Sequence, residues 1–274
     1  MTKYKLVLFT FHIFFICPVL LFAQTTSYEH GSFILKHDTL PYRVLFPKNF
    51  KSDKLYPVII VLHGAGERGN DNEAELKYGA DLFLRDSIRK KYPAIVIFPQ
   101  CATNSYWSNV KIETDSVAKK SKFIFLADKP PTKAMQLLLG LVDNFLEKPY
   151  VNKSKIYIGG LSMGGMGTYE IIGRKPDVFA AALAICGGDN TLNVRKYANK
   201  VPLWIFHGKK DDIVPYFHSE AIVATLRAVG ANPKYTLYPN DFHNSWNDAF
   251  AEPNLLPWLL SNDNLNLKDS QKSK

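Results

Sequence analysis

The stretch Ile156-Tyr157-Ile158-Gly159-Gly160-Leu161-Ser162-Met163-Gly164-Gly165-Met166 decides the fold. Its apolar start, residues 156–158, suits a short strand buried on both faces. Residues 163–173 suit a helix. Only a sharp turn fits between the two, and that turn carries the pattern Gly160-Leu161-Ser162-Met163-Gly164. Strand and helix approach closely at such a turn, so the positions around the serine must be tiny, as Gly160, Gly164 and Gly165 are. The turn strains the serine backbone and stands its hydroxyl clear above the sheet. A glycine-rich strand-to-helix turn can also hold a phosphate at the helix N-terminus. The motifs further along the chain favour acyl transfer instead.

Outward from this turn, short apolar runs alternate with helix-like stretches, the pattern of a parallel sheet with crossover helices. Residues 58–62, 94–98, 156–158 and 203–206 each suit a fully buried strand, and residues 180–185 and 235–238 fit the same alternation more weakly. Upstream, residues 32–35 and 42–46 flank His37-Asp38 as an antiparallel hairpin. The clearest helix follows Pro130-Pro131, where Ala134, Leu137, Leu138, Leu141, Val142 and Phe145 recur at helical spacing. Further helices are expected over 73–90, 163–173 and 219–229. Residues 101–129 show no clean period, and a loop that long is often functional.

A serine hydroxyl is a poor nucleophile without a base, and the base needs a carboxylate to hold it. In this topology the partners follow as serine, then acid, then histidine. Past the strand at 203–206 comes His207-Gly208-Lys209-Lys210-Asp211-Asp212, which offers two carboxylates on the rim of Ser162. Past the strand at 235–238 comes His243, where the topology demands the base. His218 sits at a helix start, and His207 suits a structural role at its strand end. The oxyanion would be held by the backbone N–H of Met163, next to the nucleophile, and by that of Ala65, with Gly66 as the alternative. Ala65 lies in the glycine-rich loop His63-Gly64-Ala65-Gly66-Glu67-Arg68-Gly69. His63 is expected to pin that loop. Tyr106, Trp107 and Trp246 are candidates to line an acyl or aromatic pocket, with ordinary burial of large aromatics as the alternative. These features define an α/β-hydrolase fold: a mostly parallel sheet with an antiparallel N-terminal hairpin and helices on both faces.

The stretches Leu62 to Gly69, Gly160 to Gly165, His207 to Asp211 and His243-Asn244-Ser245-Trp246 resemble those of the secreted esterases grouped with feruloyl esterases, acetylxylan esterases and polyhydroxybutyrate depolymerases. The phospholipase/carboxylesterase group and the dienelactone hydrolases are near relatives, and Ser162 stands where the latter use cysteine. The resemblance spans residues 42–260. It implies Asp211, four residues after the histidine of the His-Gly pair, as the acid, and a serine esterase that acts on feruloyl, acetyl or other short ester groups of polysaccharides. A serine peptidase of the prolyl oligopeptidase type and a non-catalytic glycan-binding module on a hydrolase scaffold are the competing readings. The chain has no room for the propeller of the first and keeps the triad members that the second usually loses.

The bulk numbers agree with an enzyme of this kind. The chain has 274 residues, 46% hydrophobic and 22% charged, and a formal net charge of +9. Its basic residues are scattered, without the stripe and interleaved aromatics of a nucleic-acid binder. Residues 1–23 have the layout of a signal peptide: Lys3 and Lys5, an apolar run, then Ala23 before a polar stretch. Cleavage after Ala23 would leave one catalytic domain over 24–274, secreted or periplasmic, with no stable membrane insertion. Cys101 and Cys186 would remain, at the ends of non-neighbouring strands, and free thiols are expected. No phosphate loop or metal-spaced cluster stands out, so the chemistry calls for no cofactor and no metal. The expected partner is a small ester or an ester-decorated polysaccharide. Oligomeric state is not legible.

Overall fold

A computed structural model describes residues 28–115, 117 and 120–264. The leader expected over 1–23 lies outside the described residues. Strands β1 (Glu29–Leu35) and β2 (Asp38–Leu45) form the antiparallel hairpin, joined at Lys36 with φ 57°. Then come β3 (Tyr56–Leu62), helices α1 (Ala80–Leu84) and α2 (Asp86–Lys91), and β4 (Ile95–Pro99). A separate antiparallel pair, β5 (Val110–Asp115) and β6 (Lys120–Phe125), precedes α3 (Lys133–Leu146). Strand β7 (Val151–Leu161) leads into α4 (Met163–Arg174), followed by β8 (Ala181–Ile185) and α5 (Val194–Tyr197). The last elements are β9 (Leu203–Gly208), α6 (Phe217–Ala228), β10 (Lys234–Tyr238), α7 (Trp246–Ala251) and α8 (Leu255–Ser261).

One eight-stranded sheet runs in the order β1-β2-β4-β3-β7-β8-β9-β10, antiparallel at β1–β2 and β2–β4 and parallel from β4 to β10. Successive strand residues face opposite sides. Thus Val58, Ile60 and Leu62 join one core with α3, α4, α5 and α6, while Ile59 and Val61 join a second core with α1, α7 and α8. Each such side chain contributes roughly 1.5–3 kcal/mol on burial. The α3 stripe read from the sequence is buried along its length, and the Thr132 hydroxyl caps its start by accepting from the Met135 N–H at 3.1 Å.

Two expectations need correction. The helix expected over 73–90 is two short helices, because Gly79 adopts φ 83° before α1 and Arg85 leaves the helical region between α1 and α2. The long loop at 101–129 holds the β5–β6 hairpin. Its strands form a separate pair outside the main sheet, so they lack the apolar run that marks a central strand.

Candidate active site

Ser162 caps the N-terminus of α4 with φ 54° and ψ −117°, a conformation rarely adopted by a side chain with Cβ. Its neighbours hold it there. The Ser162 N–H donates to Ile185 O at 2.9 Å, and its carbonyl accepts from the Met166 N–H at 3.0 Å. The glycines around it let α4 approach the sheet. A Cβ on Gly164 would lie 2.0 Å from Leu62 O, and one on Gly165 would lie 2.5 Å from Ile185 O.

The Ser162 hydroxyl donates to His243 Nε2 at 2.9 Å, and His243 Nδ1–H donates to Asp211 Oδ2 at 2.7 Å. Asp211 is buried and accepts at Oδ1 from the N–H groups of Ile213 (3.0 Å) and Val214 (2.9 Å). His207 Nε2 lies 3.3 Å from its Oδ2. Burial pushes the Asp211 carboxyl up, but the hydrogen bonds from His207 and His243 outweigh that and hold it down at about 2. It is therefore a carboxylate at neutral pH, which fixes His243 with its proton on Nδ1 and Nε2 free to accept. Asp212 is exposed, and Asp211 is the carboxylate that meets His243.

The loops that carry these groups are stitched together. Lys209 N–H donates to Tyr238 O at 2.8 Å, and Lys210 N–H to Asp241 O at 2.9 Å. His207 is bound at Nδ1 to Ser219 Oγ (2.7 Å) and at Nε2 to Val214 O (2.8 Å), so it braces the acid's turn from inside. Trp246 sets its ring edge against His243 at 5.4 Å and also touches Tyr78 at 5.1 Å. His218 lies apart, among Phe123, Phe125 and Phe217.

Across the sheet, the 63–69 loop flanks Ser162: a Cβ on Gly64 would sit 3.7 Å from Ser162 Cβ. His63 accepts at Nε2 from the Cys101 N–H (2.9 Å) and donates at Nδ1 to Gly64 O (2.6 Å). Burial lowers its pKa to about 4, so it is a neutral pin between two rim loops. Ala65 opens a single 3-10 turn beside Gly64. Met163 opens α4, where a first-turn N–H has no intrahelical acceptor. Both amides thus belong to the segments that border Ser162.

Trp107 is a different matter. It is fully buried, its ring edge against His63 and its Cβ against Gly167, so it supports the rim from beneath and does not line an open surface. An aromatic's spacing in sequence does not reveal which way its ring points. Arg68 is the group that spacing left without a role. Its Nε donates to Ala65 O (3.0 Å), and its Nη1 to Thr103 O (3.2 Å) and Ser105 O (3.3 Å).

Cys186 and Cys101 are free and buried. Ligand atoms of Cys186, Asp211 and His243 lie within 4.8 Å of one another, a grouping a cation could use. Burial pushes the Cys186 thiol far up and Asp211 is bonded to His243, so the thiol acts as a neutral wall behind the acid. No helix among the described residues is long and apolar enough to cross a membrane.

An eight-stranded sheet of this order, with helices on both sides and a strained serine between β7 and α4, is the α/β-hydrolase fold. The chain belongs to the phospholipase/carboxylesterase family, whose model matches residues 49–253. A solved thermostable esterase superposes with a TM-score of 0.75 at 30% identity, over 86% of this chain and 63% of that one. A bifunctional acetylxylan esterase/xylanase of Neocallimastix patriciarum is 24% identical over 67% of this chain, which spans 24% of that protein. Lysophospholipase-like protein 1 of Mus musculus is 28% identical over 81% of this chain and 92% of its own length. A ferulic acid esterase structure at 19% identity, with a TM-score of 0.61, shares the fold.

Proposed function

We propose that this chain is a serine carboxylic ester hydrolase that works through an acyl-enzyme, with feruloyl, acetyl or other short ester groups of polysaccharides as substrates. The observation that carries this reading is the continuous relay from Ser162 through His243 to Asp211 on a strained strand-to-helix turn. The acetylxylan esterase and thermostable esterase relatives support the ester class.

In this mechanism Ser162 Oγ attacks the ester carbonyl carbon while its proton passes to His243 Nε2. Asp211 stabilises the imidazolium through Nδ1–H. The carbonyl oxygen, now negative, is met by the N–H groups of Met163 and Ala65. The C–O bond to the alcohol breaks, and the alcohol leaves with the proton from His243. Water then attacks the acyl-serine with His243 again as base, and the acid is released.

The test is turnover of 4-nitrophenyl acetate and methyl ferulate by the purified protein and its Ser162→Ala variant. Turnover by the wild type that drops by about 10³-fold or more in the variant is expected. Equal inertness of two folded proteins would sink the ester reading. Ferulate turnover as fast as acetate turnover would favour an aromatic acyl group.

A further inference from the structure

The strand order separates the two halves of any ester bound at Ser162. Ser162 follows β7; β3 and β4 lie on one side, and β8, β9 and β10 on the other. His243 and Asp211 follow β10 and β9, so the group that protonates the leaving alcohol is on that side. The loops after β3 and β4, on the other side, carry Arg68 and Tyr106 and are left to the acyl half.

Arg68 has an unusual environment there. Among the described residues no carboxylate pairs with it. Its Nε and Nη1 are taken up by backbone carbonyls of two rim loops, which fix the guanidinium plane. The plane lies over Tyr106, 5.6 Å from the ring centroid. The side chain is partly exposed, and Nη2 has no acceptor among the described residues. Through Ala65 the guanidinium is one hydrogen bond from the residue beside Gly64, which borders Ser162. A fixed, aromatic-backed guanidinium with an open edge is suited to a carboxylate.

We propose that Arg68 is a specificity residue that makes the site prefer esters whose acyl half carries a carboxylate, as in the half-esters of dicarboxylic acids. The proposal rests on the serine esterase reading. Arg68 also ties the two rim loops together, so the decisive quantity is a ratio of substrates and not the activity on either one.

The experiment compares kcat/KM for mono-4-nitrophenyl succinate and 4-nitrophenyl butyrate, esters of the same acyl length that differ by one negative charge. The wild type is expected to favour the succinate by about 10-fold at low salt, a preference of about 1.4 kcal/mol. That ratio should shrink as salt rises from about 0.02 to 0.5 M. In Arg68→Gln the ratio should fall to about one or below, and Arg68→Lys should keep part of it. A wild-type ratio at or below one, or an unchanged ratio in Arg68→Gln, overturns the proposal while leaving the esterase reading intact. Should the glutamine variant fail to fold, Arg68→Lys decides the matter, and an unchanged ratio there overturns the proposal. Inertness of the wild type toward both esters overturns the esterase reading and the proposal with it.

Discussion

Asp211 shows how much one side chain is asked to do at this site. Its Oδ1 closes its own turn through two backbone N–H groups, and its Oδ2 faces both His243 and His207. Asp211→Asn keeps the size but offers an amide N–H where His243 needs an acceptor, which favours the wrong imidazole tautomer. A fall in kcat of about 10³–10⁴-fold with a modest change in KM is expected, whereas Asp212→Asn should stay near wild type. Steady-state kinetics on the two variants checks this, and a similar loss in both would remove Asp211 from its role. Ser162 and His243 were legible in sequence because chain order and strand ends confine them. The choice between adjacent aspartates was not, since one residue of spacing along a loop leaves either carboxylate within reach. It came from the resemblance, and the geometry brings the same residue to His243.

At the scale of elements, the site depends on how closely α4 lies on the ends of β3 and β8. Gly164 meets Leu62 O and Gly165 meets Ile185 O at distances that leave no room for a methyl group, and both obstacles are backbone. Gly164→Ala should therefore destabilise by about 1–3 kcal/mol or more and lower activity disproportionately, because any retreat of α4 carries Ser162 away from His243. Urea denaturation alongside kcat would test this, and an alanine variant with wild-type stability would refute the close-contact account. The central strands were legible because burial on both faces writes an uninterrupted apolar run. The β5–β6 hairpin was not. It contributes only part of one face, with Phe123 beside Met166 and Val214, so its residues follow no period that would distinguish it from a loop.

For the whole molecule, two carboxylates of opposite tendency shape stability against pH. Asp211 is held at about 2, below its ordinary 3.8, so its contribution is complete above pH ~4 and is lost as pH falls toward 2. Asp189 is pushed up to about 6, chiefly by burial, against hydrogen bonds from Asn193, Asn190 and Tyr197. The native state thus keeps its proton between pH ~4 and ~6, where the unfolded chain has lost it, and stability declines as pH rises through that window. Glu75, pushed up to about 7 mainly by burial, adds in the same sense. Unfolding free energy should therefore peak near pH ~4 and decline from there toward pH ~7. Asp189→Asn should flatten the decline on the alkaline side by about 3 kcal/mol. Urea titrations from about pH 2 to 8 on both proteins would show it, and parallel profiles would refute the assignment to Asp189.

The order of the strands also has a consequence for the making of the protein. Strand β7 lies between β3, some ninety residues before it, and β8, while the base arrives only after β10 at the far edge. A growing chain emerges from its N-terminus, so the hairpin and β3 are available long before their later neighbours. No nascent fragment that stops short of residue 243 can hold the relay, however much of the sheet it has formed. The ability to attack an ester therefore comes into being only after residue 243 has been made, when every strand of the sheet is already available.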